Sequence, residues 1–393
     1  MLVEPTSAEE VADILARANS ERLRVQTRGA GTKMAWGADS PADIVLSTAK
    51  LNAVLAHRHG DLTATVQAGA SLAAVNRALA ERGQWIPLDP PWADRATIGG
   101  LVATNDSGPR RHRYGAPRDL IIGIDFVRAD GVAAKAGGIV VKNVAGYDMA
   151  RLLTGSFGSL AVIVSATFKL YPVPPASRTV VVDVPAGSSV AASSKRLHAV
   201  IAQLLASQLT PTAIELQDPP LRLLVRFETI EVAAGQQAAA VVQLAESSSA
   251  NATLIRGDEE ASVWEDHYRR PWDSDDSNGA VIKVTLLPTD VAATLAWLAD
   301  ATRGLDYELI GRAGVGVFLA RVGGDADAQA SVLTDLRARI RPLAGSAVLV
   351  RASDELKSRV DVWGPIGDGF AVMRAIKRQF DPNGILNPGR GPV

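Results

Sequence analysis

Residues 28 to 34, Arg28-Gly29-Ala30-Gly31-Thr32-Lys33-Met34, follow a short apolar stretch and carry two glycines one residue apart. Glycine takes positive φ without strain and places no Cβ between backbone N–H groups and an approaching anion. Such a turn suits a pyrophosphate. The other common nucleotide loops are excluded by spacing, because the chain has no Gly-x-Gly-x-x-Gly between a strand and a helix and no Gly-x-x-x-x-Gly-Lys-Ser/Thr. Four later segments belong with this turn. Pro87-Leu88-Asp89-Pro90-Pro91 precedes Ala96-Thr97-Ile98-Gly99-Gly100-Leu101-Val102-Ala103-Thr104-Asn105-Asp106-Ser107-Gly108, a run of small residues whose backbone can lie against a flat ligand. Arg113-Tyr114-Gly115 and Arg118-Asp119 lead into an alternating strand over residues 120–127. Lys142-Asn143-Val144-Ala145-Gly146-Tyr147-Asp148 follows, and then Leu152-Leu153-Thr154-Gly155-Ser156-Phe157-Gly158-Ser159-Leu160-Ala161-Val162-Ile163.

The elements that must position these loops can be read on either side of them. Thr6-Ser7-Ala8-Glu9-Glu10 reads as a capped helix start, with Val11, Ile14, Leu15 and Ala18 at helical spacing. Leu23, Val25 and Thr27 alternate as a strand feeding the glycine turn, residues 44–46 and 63–68 read as strands, and residues 71–80 as an amphipathic helix stopped by Gly83. Pro172-Val173-Pro174-Pro175 breaks both helix and ladder and marks a boundary. Beyond it, strand-like stretches at 180–184, 212–216 and 221–227 alternate with alanine-rich helical ones at 190–209 and 236–246. A second set follows at 281–286, 288–301, 307–310 and 315–320. Two β-α-β halves of this kind imply a ferredoxin-like antiparallel sheet backed by helices.

The order and spacing of the five segments resemble the FAD-binding fold of the vanillyl-alcohol-oxidase and p-cresol-methylhydroxylase superfamily. Within it the chain is most similar to the smaller, second FAD-binding subunits of bacterial glycolate oxidases. The tail Phe380-Asp381-Pro382-Asn383-Gly384-Ile385-Leu386-Asn387-Pro388-Gly389-Arg390 matches that group too. The resemblance implies an α+β fold: a two-part FAD-binding domain over 1–172, a ferredoxin-like cap with an antiparallel sheet over 173–360, and a C-terminal segment, 361–393, returning toward the FAD domain. It implies that residues 28–34 wrap the pyrophosphate, that Pro87, Leu88, Asp89, residues 97–100, Thr104, Asn105, Ser107, Gly108, Tyr114 and Gly115 line the flavin, and that Gly158, Val162 and Ile163 contact the cofactor.

Two departures qualify it. Catalytic relatives carry Glu-Gly-Thr-Leu-Gly where this chain has Phe157-Gly158-Ser159-Leu160-Ala161, and covalent flavoproteins place a histidine where Lys33 and Met34 stand. With no cysteine for a second linkage, FAD is expected to bind noncovalently.

Composition excludes several classes. The 393 residues are 47% hydrophobic with net charge −1, enough for a sizeable core in two domains and without the basic footprint of a nucleic-acid binder. Zero cysteines exclude disulfides and thiolate-held iron–sulfur clusters. No signal-peptide pattern or 18-residue apolar run is present, so the chain is expected to be cytoplasmic and at most associated with a membrane through partners.

Oxidation of a 2-hydroxy acid needs a carboxylate anchor and a base for the hydroxyl proton. Catalytic relatives carry a histidine-rich, metal-linked motif in the cap, whereas here the corresponding stretch is Arg312-Ala313-Gly314-Val315-Gly316-Val317. Arg312 reads as an exposed charge at a strand entrance, His57 and His59 as a surface-loop pair, Arg110-Arg111-His112-Arg113 as a solvated loop, and Trp264 and Trp272 as packing residues. No metal ligands and no catalytic residues are assigned, and Lys142 is left as a solvated lysine. The expected function is therefore that of an FAD-bearing subunit of a glycolate oxidase complex, inactive alone and working beside a catalytic flavoprotein and an iron–sulfur subunit. A stand-alone FAD oxidoreductase and a flavin-free scaffold are the alternatives.

Overall fold

The computed structural model describes residues 1–139, 146–184, 190–273 and 278–393. They form two compact units, one of residues 1–108, 114–173 and 365–393, the other of 109–113 and 174–364.

The first unit begins with helix α1 (Ala8–Glu21), where Ser7 Oγ accepts from the Glu10 N–H at 3.2 Å and Val11, Leu15 and Ala18 form one buried stripe. Strands β1 (Val25–Arg28) and β2 (Ile44–Ser47) pair in parallel, with Leu2–Val3 on the far side of β2, so β1 is an edge strand. A second, antiparallel sheet runs in the order Val54–Arg58, Thr63–Gln67, β4 (Ala161–Lys169), β3 (Ile121–Arg128), Ala133–Gly137. Strand β4 is buried on both faces: Val162 and Val164 pack with α1 and β1, while Ala161 and Ile163 belong to the opposite core. Between them in sequence lies helix α2 (Ile98–Thr104), capped by Thr97 and ended by Asn105 in the left-handed conformation, φ 48°. Sequence propensity argues against a helix at two adjacent glycines; the Thr97 cap and the burial of Ile98, Leu101 and Val102 override it.

The second unit is built on one eight-stranded antiparallel sheet. Four strands, in the order Asn251–Ile255, β5 (Ala176–Asp183), β7 (Arg222–Thr229) and β6 (Ala213–Asp218), form one half. The other half runs β8 (Tyr307–Arg312), Val317–Val322, Ala280–Thr285, Ser346–Arg351, and β6 pairs with β8 to join them. The two faces differ in chemistry. Helix Val291–Ala301 covers Val284, Leu309 and Phe318 on the apolar face. On the other, register sets Ala213 opposite Arg226, Gln217 opposite Arg222, and Glu215 opposite Arg312. Helix α3 (Gly257–Arg269) packs over that polar face through Trp264, which clusters with Val181, Ala213 and Leu224. The chain ends in the first unit with helix α4 (Phe370–Phe380) and the tail after it.

Candidate functional site

Strand β1 runs straight into the glycine turn, which is closed by Met34 N–H to the Gly31 carbonyl at 3.3 Å and Trp36 N–H to the Lys33 carbonyl at 3.1 Å. Gly31 sits at φ +82°, and a Cβ on Gly29 would fall 2.1 Å from Thr97 Oγ1. The amides of Ala30, Gly31 and Thr32 donate to no group among the described residues. They line a cleft that is open to solvent. Its walls come from residues 27–34, Thr48, Thr97, Gly99, Gly100, Ala103, Thr104, Phe157, Gly158, Ala161, Ile163, Asn387 and Arg390. Thr27 Oγ1 is buried in this wall without a hydrogen-bond partner. Lys33 Nζ lies 3.2 Å from Asp106, both side chains nearly inaccessible, and 5.6 Å from the Trp36 ring. Free backbone donors, a small-residue floor and one compensated cation are groups that can hold a dinucleotide and its pyrophosphate.

The structure brings the glycine turn, Thr97, Gly99, Gly100, Thr104, Gly158 and Ile163 to this cleft. It does not bring the remainder. Val162 points away because strand parity sends it into the α1 core, and Ile98 is on the buried side of its helix. Leu88 is core, Pro87 is buried, and Asp89 packs against Gly108, where a Cβ would lie 1.8 Å from the Asp89 carbonyl. Asn105 Oδ1 accepts from the Arg118 N–H, Ser107 is buried outside the lining, and Tyr114 stacks edge-on with Trp85 and Tyr171 at 6.2 and 5.0 Å. Gly115 faces the Asp119 carboxylate, which accepts from the Ala116 N–H. Lys142 and its neighbours to 145 lie outside the described residues; Tyr147 is exposed, and Asp148 caps a short helix by accepting from Arg151 N–H. Asn387 and Arg390, which the sequence analysis did not assign, are part of the wall.

In the second unit several expectations fail. Arg312 is not exposed but 5% accessible, 3.9 Å from the Glu215 carboxylate, because its strand lies inside the sheet. Arg110 is not solvated: its Nε and Nη2 donate to both oxygens of Glu228 at 2.9 and 2.6 Å. Burial pushes the Glu228 carboxyl up, and the hydrogen bonds and charge of Arg110, with Arg226, outweigh it and hold it below its ordinary value. In the first unit, His57 lies within the strand Val54–Arg58 rather than in a surface loop and hydrogen-bonds Gln84 at 2.9 Å. Trp264 and Trp272, by contrast, are buried as packing residues, as the sequence implies.

The sequence also concealed a buried hydrogen-bond chain. Arg222 Nε donates to Gln217 Oε1 at 2.5 Å, which leaves the Gln217 amide to donate to His267 Nδ1 at 2.8 Å. His267 Nε2 then donates to Glu215 Oε2 at 2.9 Å, and Glu215 Oε1 is left without a hydrogen-bond partner. Burial lowers the nearby His112 imidazole from its ordinary value, with Glu215 opposing the shift. Beside this chain, Arg226 lies 4.1 Å over the Trp264 ring and 3.3 Å from Glu260. Among the described residues no three histidine, aspartate or glutamate side chains are placed to hold a metal ion, and no helix is long and apolar enough to cross a membrane.

Comparison with known proteins bears on the cleft directly. Residues 1–148 match the model of an FAD binding domain, and residues 366–390 that of the C-terminal domain of FAD linked oxidases. The chain is an FAD-linked oxidoreductase. Its FAD-binding domain is of the p-cresol-methylhydroxylase type, and FAD is its cofactor. Similarity extends end to end: 26% identity to glycolate oxidase subunit GlcD of Bacillus subtilis over 99% of this chain and 88% of that protein, and 29% to D-2-hydroxyglutarate dehydrogenase of Xanthomonas citri pv. viticola over 98% and 88%. Glycolate oxidase subunit GlcE of Escherichia coli is 41% identical over 30% of this chain and 34% of its own. The fold is shared with alkyldihydroxyacetonephosphate synthase, with a TM-score of 0.74 at 19% identity over 98% of this chain and 76% of that one.

Proposed function

We propose that this FAD-linked oxidoreductase is a subunit of a complex that oxidises glycolate to glyoxylate, with FAD held noncovalently at residues 28–34 and in the cleft they open. A catalytic flavoprotein and an iron–sulfur subunit are its partners. Bound FAD supplies an acceptor for a hydride. The residues of the chain bind that cofactor: the amides of Ala30, Gly31 and Thr32 are available to an anion, and Lys33 and Asp106 remain paired in the wall. The observation that carries the reading is this unsatisfied backbone cradle in a chain without a single cysteine, so that electrons received here must leave through a partner or a diffusible acceptor rather than an iron–sulfur cluster of its own. Similarity to GlcD and GlcE supports the choice of complex.

The test is glycolate turnover by the purified, FAD-loaded chain, alone and then combined with the two other subunits; activity is expected only in the combination. Acid precipitation should release the flavin into the supernatant, and flavin retained in the pellet would overturn noncovalent attachment. A stand-alone 2-hydroxy-acid dehydrogenase is the second reading. It is favoured by the end-to-end similarity to D-2-hydroxyglutarate dehydrogenase. Rapid reduction of the flavin by a 2-hydroxy acid without any other polypeptide would establish it instead.

A further inference from the structure

The tail after α4 is built into both walls of the FAD cleft. It extends the edge of the parallel sheet: Val25 N–H donates to the Ile385 carbonyl at 2.7 Å, and Asn387 N–H donates to the Val25 carbonyl at 2.8 Å. Asn387 then sits at φ +43°, a left-handed conformation that asparagine tolerates better than most residues. From there its side chain spans two loops. Oδ1 accepts from Thr27 N–H at 3.1 Å, two residues before Gly29, and Nδ2 donates to the Phe157 carbonyl at 3.1 Å, one residue before Gly158. The partners fix which end of the amide is which. A Cβ on Gly158 would lie 2.5 Å from Asn387 Nδ2, so the glycine there is needed for the approach of the tail.

Two further contacts reach the same walls. Arg390, 5% accessible, donates through Nη2 to the Lys33 carbonyl at 2.6 Å. Lys377 Nζ donates to the Ser159 carbonyl at 2.8 Å and the Leu386 carbonyl at 3.0 Å, and pairs with Asp381, which in turn accepts from the Ile385 and Leu386 amides.

We infer that residues 386–390 are a clasp for the cofactor: Asn387 and Arg390 are positioning residues that hold the turn at 28–34 and the loop at 157–159 at the separation FAD requires, so cofactor retention depends on the docked tail. The inference rests on FAD occupying this cleft, not on the substrate. Linkage makes the dependence reciprocal. If tail docking tightens FAD by some factor, bound FAD stabilises the docked tail by the same factor.

Both directions can be measured on the full chain. Asn387→Ala and Arg390→Gln should each weaken FAD at least tenfold, read from the fluorescence of released FAD, while the FAD-free protein still unfolds in one cooperative transition. Asn383→Ala is the control within the same tail, since Asn383 bonds only to Asn19 of α1 among the described residues, and it should retain FAD as the wild type does. Hydrogen exchange of the wild type needs no variant: FAD should slow exchange at the Asn387 and Arg390 amides at least tenfold and leave the first turn of α4 unchanged. Wild-type affinity in both cleft variants, or exchange in the tail that does not respond to FAD, would overturn the clasp. A wild-type chain that binds no FAD would overturn the cofactor site, and the clasp with it.

Discussion

The cleft in the first unit is made of backbone and of side chains too small to fill it. The polar face of the sheet in the second is made of long charged side chains that occupy one another's hydrogen-bonding positions. In the cleft, the donors at Ala30, Gly31 and Thr32 face empty volume. On the sheet, Arg222, Gln217, His267 and Glu215 form a directed chain, and Arg226, Glu260 and Thr179 a second cluster beside it. An unsatisfied donor that stays near water loses little until a ligand arrives, whereas a buried charge without a partner is costly. The first arrangement is therefore sensitive to added bulk, and to side-chain loss only where the clasp at Asn387 and Arg390 bridges its walls. The second tolerates neither loss nor change of charge.

The largest effect that tests this contrast is expected from Glu215→Leu. It takes away the carboxylate that His267 donates to and that faces Arg312, at a site with no solvent exposure. Breaking a buried pair from one side costs about 3–5 kcal/mol. Denaturant titration should show a loss of that size while FAD content remains that of the wild type. A loss under about 1 kcal/mol would show that the chain is not interlocked and that the contrast is wrong.

Asp218→Asn, next in size, should act in the opposite direction. Burial raises the Asp218 carboxyl from 3.8 to about 6. Between those values the folded protein holds a proton that the unfolded chain has released, so this group lowers stability as pH rises from about 4 to about 6 and by a constant amount above that. Two units correspond to about 3 kcal/mol at most. The asparagine variant should gain about 2–3 kcal/mol at pH 7.5 and nothing at pH 3.5. His112 runs the other way: its imidazole is lowered by burial, so its contribution is complete above 6.5 and is lost as pH falls below that value. The difference between variant and wild type isolates Asp218. Equal gains at both pH values would show that shape rather than ionisation matters there.

These two regions differed in how far the sequence revealed them, for a physical reason. The turn at 28–34 is local: two glycines and the strand before them lie within a few residues, and spacing along the chain is spacing in space. The sheet network joins positions about 50 and 100 residues apart through register, which no local pattern supplies. Partial signals were nonetheless present. Glu215 and Gln217 alternate on one strand, as Arg222 and Arg226 lie four apart on the next, which marks a polar sheet face. Glu260, Trp264 and His267 recur at helical spacing, and all three are buried. Arg312 was misread because arginine is mostly exposed, a tendency that an interior strand overrides. Asn387 lay in a tail whose sequence had been matched but whose role was not: Asn-Pro-Gly signals a turn, not the loops it touches.

Gly31→Val moves the test back to the cleft. At φ +82° a β-branched residue is strained by about 1–3 kcal/mol, although a Cβ there would meet nothing closer than 3.7 Å. The fold should survive with that loss, read by thermal unfolding, and FAD content should fall. A variant that keeps its flavin in full would remove residues 28–34 from the cofactor site.

Gly100→Ala should have the smallest effect on the fold and is the most discriminating for that reason. The residue lies inside α2, where glycine is about 0.5–1 kcal/mol less favourable than alanine, so helix propensity predicts a slight gain. An added Cβ would approach only Thr97 Oγ1, at 3.1 Å, a contact that a small shift relieves. Net stability of the FAD-free protein should therefore change by less than about 1 kcal/mol. The fold gives no strong reason for glycine at this position, but Gly100 lines the cleft, where a methyl group would take space from a flat ligand. Unchanged unfolding together with weaker FAD binding would mean that the glycine serves the cofactor. If stability and FAD affinity are both unchanged, the floor of the cleft at α2 does not touch the flavin, and the contrast between an open cleft and a filled sheet narrows to the turn at 28–34 and its clasp.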